Sequence, residues 1–123
     1  MAETEKLVIL ATHGPEDPER ATIPFVMGNA ALASDVSVVI GLQGNGVWLG
    51  RKLEAEHVFA AGFPPLAKLM TDFMQLGGKL LICNPCIQSR QLSGENDLVE
   101  GAEIVAAGRF VAEVTSATSS LTY

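Results

Sequence analysis

Two cysteines stand three residues apart in the segment Cys83-Asn84-Pro85-Cys86, and the 123-residue chain contains no others. A thiol reacts as its thiolate, so a cysteine matters chemically where its surroundings favour deprotonation and leave it accessible. Cys83 follows an apolar, strand-like stretch and precedes a segment able to form a short helix, whose first N–H groups would lower a thiol pKa. It is the candidate nucleophile, and Cys86 is a candidate resolving thiol. The alternative is that both are small apolar residues packed at a strand end. His13, Arg90 and His57 are the other groups that bear on this chemistry. His13 next to Cys83 would favour the thiolate as an imidazolium; otherwise it is an ordinary loop histidine. Arg90 either attracts an anionic sulfur species or covers apolar surface with its stem. His57, between Glu56 and Val58, reads as a surface residue.

The Cys-x-x-Cys spacing also suggests a thioredoxin-type redox pair. All six prolines lie at or before Pro85, however, so the proline that such a site packs against its cysteines has no candidate. Zinc is disfavoured as well. Cys83, Cys86, His13 and His57 could supply four ligands, but there is no second closely spaced pair. No metal and no cofactor are expected.

The elements that must position these residues alternate between strand and helix. Residues 7–11 form an unbroken apolar run, the mark of a strand buried on both faces. Asp17-Pro18 signals a helix start, with Ile23, Val26, Met27, Ala30 and Ala33 on one stripe and Phe25 and Leu32 off it. Pro24 either kinks this helix or moves its start to Thr22. A second strand over 36–42 leads into a loop containing Gly44 and Gly46, which reads as tight-turn geometry. Pro65 opens a helix with Leu66, Leu69, Met70, Phe73 and Leu76 inward, and Gly77-Gly78 stops it. A third strand over 79–82 delivers Cys83. A short helix over 87–92 and a polar turn over 93–97 precede a fourth strand at 102–106. A helix over 108–117, with Phe110, Val111 and Val114 inward, and a fifth strand at 120–123 complete the chain. Trp48 reads as a packing or interface anchor.

Such alternation predicts an α/β fold: one three-layer α/β/α domain over residues 1–123 with a mostly parallel five-stranded sheet. A flavodoxin-like strand order, 2-1-3-4-5, places ligands beyond the carboxyl ends of the strands. That edge carries the loops with His13, Gly44 and Cys83, and makes the strands before His13 and Cys83 neighbours.

Apolar residues make up 48% of the chain and charged residues 18%, which excludes a disordered chain. No apolar run reaches the roughly 18–20 residues of a membrane span. The net charge of −6 would repel a phosphate backbone, so nucleic acid is not an expected partner. The acidic start, with neither a basic region nor an apolar stretch, makes the cytosol the expected location and free thiols the expected state of the cysteines. A mean hydropathy of +0.29 points to apolar subunit contacts and hence a homo-oligomer.

Taken in order, the first strand, the segment Gly14-Pro15-Glu16-Asp17-Pro18-Glu19-Arg20-Ala21, Gly46-Val47, the run Gly78-Lys79-Leu80-Leu81-Ile82-Cys83 leading to Arg90, and the closing Leu121-Thr122-Tyr123 resemble the DsrE/DsrF/DsrH-like family of sulfur-relay (TusD-type) and YchN-like proteins. The resemblance covers nearly the whole chain. It implies a compact parallel α/β domain that assembles into trimers, hexamers or mixed complexes. It also implies that Cys83, placed just after the third strand, carries sulfur as a persulfide passed between donor and acceptor proteins. Relay members of the family do not generally carry a second cysteine three residues on, so Cys86 departs from their pattern, and a neighbouring thiol could attack a Cys83 persulfide and release sulfide. Two other functions follow from the residues: a non-catalytic oligomeric binding or assembly module, and a Cys83/Cys86 dithiol switch.

Overall fold

The computed structural model describes residues 5–123. Five strands, β1 (Lys6–Ala11), β2 (Ser37–Leu42), β3 (Lys79–Cys83), β4 (Glu103–Val105) and β5 (Ser119–Thr122), form one all-parallel sheet. Its order is β4-β3-β2-β1-β5, which corrects the flavodoxin-like 2-1-3 arrangement. The chain steps from β1 to β4 in one direction. Only the last connection returns across the sheet, setting β5 against the free edge of β1. Consequently β2 stands between β1 and β3.

The unbroken apolar strands follow from burial on both faces. Ile9, Ala11, Val38, Ile40, Leu42, Leu80 and Ile82 face one layer. That layer is built by α1 (Pro18–Ala33), α2 (Leu66–Gln75), α3 (Asn84–Ser89) and the chain around α4 (Gly94–Asp97). The alternating set Val8, Val39, Leu81 and Val105 faces α5 (Ala107–Thr115), whose Phe110 covers them. The α5 side is the thinner layer, and there Val111 is 60% exposed instead of inward.

Helix α1 starts at Pro18, with the Asp17 carboxylate accepting from the Arg20 N–H, so Pro24 does not set the start. Its buried face comprises Ala21, Thr22, Pro24, Phe25 and Gly28, and Met27 from the expected stripe is 40% exposed. Apolar residues surround this helix, so periodicity alone does not choose its inner face. Packing does: Phe25 meets Phe73 of α2 edge-on at 5.6 Å between ring centroids. On α2 the expected face is buried except at Leu76, which becomes the exposed C-cap. The Gly78 N–H donates to Phe73 O at 2.9 Å and the Gly77 N–H to Met74 O, closing that helix.

Two ties fix the outer strands. The Tyr123 N–H donates to Leu10 O, and Thr12 returns both its N–H and its hydroxyl to Tyr123 O. At the opposite end, Glu113 of α5 receives Lys6 Nζ at 2.7 Å and Arg109 Nε at 2.6 Å, and Arg109 reaches on to Glu103. Among the described residues no helix is long and apolar enough to cross a membrane.

Candidate functional site

Strand β3 ends at Cys83, and α3 begins immediately after it at Asn84, three residues earlier than expected. Pro85 in the first turn needs no N–H partner and presets the helical φ. The turn brings Cys86 back over the strand end, so that its Sγ–H donates to Cys83 Sγ at 2.7 Å. Both cysteines are free thiols and half-buried. The chain after β2 meets them from the side. It forms a 3-10 segment, Gly44–Gly50, whose first residue sits at φ +54°, where glycine carries no Cβ penalty. The Gly44 N–H donates to Cys86 Sγ at 3.3 Å.

Arg90, just past α3, holds this corner together. One guanidinium nitrogen donates to Cys86 O at 3.0 Å and the other to Asn45 Oδ1 at 3.0 Å. Asn45 in turn lies against the loop after β1: a Cβ on Gly14 would sit 2.2 Å from Asn45 O. The sequence puts the Gly44 loop on the edge that carries Cys83 but gives neither Gly44 nor Asn45 a role there. A short Gly-Asn-Gly stretch signals only a turn, and its contact with a segment forty residues away is invisible locally.

His13 does not join the thiols. With β2 between its strand and β3, its Nδ1 instead contacts the Thr12 hydroxyl at 3.3 Å. Among the described residues no hydrogen bond links it to either sulfur. His57 is exposed, in the 3-10 turn Glu54–His57. Trp48 packs its ring under the Arg51 guanidinium, 5.9 Å from the ring centroid. Among the described residues no cluster of three or more His, Cys, Asp or Glu side chains is arranged to hold a metal ion.

The electrostatics reverse one expectation. Burial pushes the Cys83 thiol above its ordinary value of 9.0, and the Cys86 side chain adds to the rise. The Cys86 backbone N–H and the Arg90 guanidinium pull it down without cancelling the effect. At neutral pH Cys83 is therefore a protonated thiol beside a second thiol. An open cleft of about 410 Å³ begins at Asn45 and is walled by Pro15, Glu16, Trp48 and Glu54. A larger one, about 510 Å³, lies away from the sulfurs between α2 and the 3-10 turn, over Met70, Met74 and Leu80.

Known proteins match this chain over nearly its full length. The model of the DsrE/DsrF-like family fits residues 5–123. This chain belongs to that family. It is 28% identical to protein MJ0989 of Methanocaldococcus jannaschii over 118 residues, 96% of this chain and 99% of that one. It is 31% identical to MJ0760 of the same organism over 111 residues, 90% of this chain, and spans only 40% of that relative's length. Among solved structures, the YchN protein of E. coli superposes with a TM-score of 0.81 at 18% identity, covering 98% of this chain and all of that one. Protein MTH1491 of Methanobacterium thermoautotrophicum gives 0.77 at 15% identity, covering 97% and 99%. These two likenesses establish the fold.

Proposed function

We propose that this chain, as a single DsrE-like domain over residues 1–123, is a sulfur carrier that accepts sulfane sulfur on Cys83 as a persulfide. Family membership supports a sulfur-relay role. The single observation that carries the assignment to Cys83 is its place at the carboxyl end of β3, half-buried, where strand-end loops of an α/β sheet converge. Loading requires the thiolate to attack a sulfane sulfur, forming Cys83–S–SH while the donor leaves as its own thiolate. The raised pKa of Cys83 limits that step in free solution and favours a donor that brings its own base or excludes water on docking. His13 is no such base here, and Arg90 is the cation nearest in role, through its ties at Cys86 and Asn45.

Sulfur carriage also calls for protein contacts, and we place self-association in the same proposal. Leu53 and Phe59 are 68% and 64% exposed, Val111 adds apolar surface on α5, and Ile104 adds some on the edge strand β4. Light scattering of the purified protein should report a homo-oligomer, a trimer or hexamer; a monomer at micromolar concentration removes this part.

The test of carriage is intact mass after exposure to a sulfane-sulfur donor. Wild type should show sulfur chemistry confined to its cysteines, and Cys83→Ser should take up none. Equal loading of Cys83→Ser would sink the assignment.

A further inference from the structure

The Cys86 sulfur stands against Cys83 Sγ, the atom that becomes the inner sulfur, bonded to Cβ, of a Cys83 persulfide. Its thiol already points at Cys83 Sγ from 2.7 Å. It is held there from two directions, by the Gly44 N–H on the sulfur and by the Arg90 guanidinium on its carbonyl. Attack on the outer sulfur of a persulfide moves the sulfur to a new thiol, whereas attack on the inner sulfur expels it. We infer that Cys86 is a resolving thiol that discharges Cys83 reductively, so that the sulfur leaves as hydrogen sulfide and not as a persulfide on an acceptor. This rests on the carrier reading of Cys83 given above.

The balance is complete within the site. Cys86–SH and Cys83–S–SH become Cys83–S–S–Cys86 and hydrogen sulfide. The bond between the inner and outer sulfurs breaks and the bond between the two cysteine sulfurs forms. The outer sulfur gains two electrons and departs with its own hydrogen and the Cys86 proton; the two cysteine sulfurs are together oxidised by two electrons. The Gly44 N–H favours the step by position, because its hydrogen bond to Cys86 Sγ helps hold that sulfur against Cys83. In-line displacement asks the outer sulfur to leave on the side of Cys83 away from Cys86. A further turnover needs a dithiol reductant to reopen the disulfide, so the consuming reaction is thiol–disulfide exchange with a small redox protein or a low-molecular-weight dithiol. Gly44 and Arg90 are positioning residues in this scheme, and only the two cysteines react.

The experiment loads wild type and Cys86→Ser with inorganic polysulfide on ice, removes the excess on a desalting column, and follows free sulfide and intact mass with time. Cys86→Ser should hold about 32 Da of added sulfur and release sulfide at least tenfold more slowly than wild type. Wild type should end about 2 Da lighter than its reduced form, with one sulfide released for each pair of thiols lost. Wild type taken through the same steps without polysulfide should keep both thiols. Retention of the persulfide on both proteins for equal times would overturn sulfide release and leave the carrier reading standing. Sulfide release from wild type with both thiols still free would overturn it as well. Failure of Cys86→Ser to load removes the carrier reading, and this inference with it.

Discussion

The Cys86 Sγ sits 2.7 Å from the Cys83 Sγ and 3.3 Å from the Gly44 N–H, so one side chain joins the end of β3 to the loop after β2. The two thiols are thus a unit whose properties neither has alone. Replacing Cys86 changes the environment of Cys83 as well as removing a nucleophile.

The first consequence is a pH dependence of reactivity. Burial and the Cys86 thiol hold Cys83 above 9.0, so its thiolate is scarce at neutral pH. The rate of Cys83 carbamidomethylation, followed by mass, should keep climbing as pH rises through 9. A plateau already reached below pH 8 would contradict this. The same shift bears on stability. The folded pKa lies above the unfolded one, so its contribution is fully present below pH 9.0 and is lost as pH rises through the raised value. Denaturant midpoints should therefore fall in alkaline buffer more steeply for wild type than for Cys83→Ser.

At the acid end the relevant group is Glu113. Lys6 first, then Arg109, hold its carboxyl below the ordinary 4.5. A depressed folded pKa contributes stability above the unfolded value and loses it as pH falls through the folded one. Glu113→Gln should cost about 1 kcal/mol at pH 7, with the difference from wild type shrinking below pH 4.5. Urea melts at pH 7 and pH 3.5 measure it, and a difference that is independent of pH would refute the ion-pair account.

Phe73 links α1, α2 and the turn at Gly78. It is fully buried and edge-on to Phe25. Phe73→Ala should lose about 3–5 kcal/mol, read as a lower urea midpoint with Cys83 alkylation unchanged under conditions where the protein is folded. A loss below 1 kcal/mol would mean that the α1–α2 seam is not the stabilising contact.

The strands and most helix limits were legible because unbroken apolar runs, Asp17-Pro18 and Gly77-Gly78 are local signals. Strand order was not. The central strands β1, β2 and β3 are apolar on both faces, and nothing in β1 or β3 says which neighbour it takes. Adjacent β1 and β3 would let His13 meet Cys83, but β2 lies between them, and the loop-histidine alternative holds. The inner face of α1 failed for a related reason, since Ile23, Val26 and Met27 are as apolar as the buried Phe25. The cysteine pair was legible, whereas the direction of the Cys83 shift was not, because a helix start suggests a lowered pKa and only the packed structure shows burial prevailing.

The most direct measurement is the site of sulfur uptake on Cys86→Ser. That variant has one thiol, Cys83, and trypsin places it on the peptide between Lys79 and Arg90. After polysulfide loading and alkylation, this peptide should carry about 32 Da beyond its alkylated mass, and the corresponding peptide of Cys83→Ser should carry none. An unmodified peptide in Cys86→Ser, or equal uptake in Cys83→Ser, would contradict the assignment of sulfur carriage to Cys83.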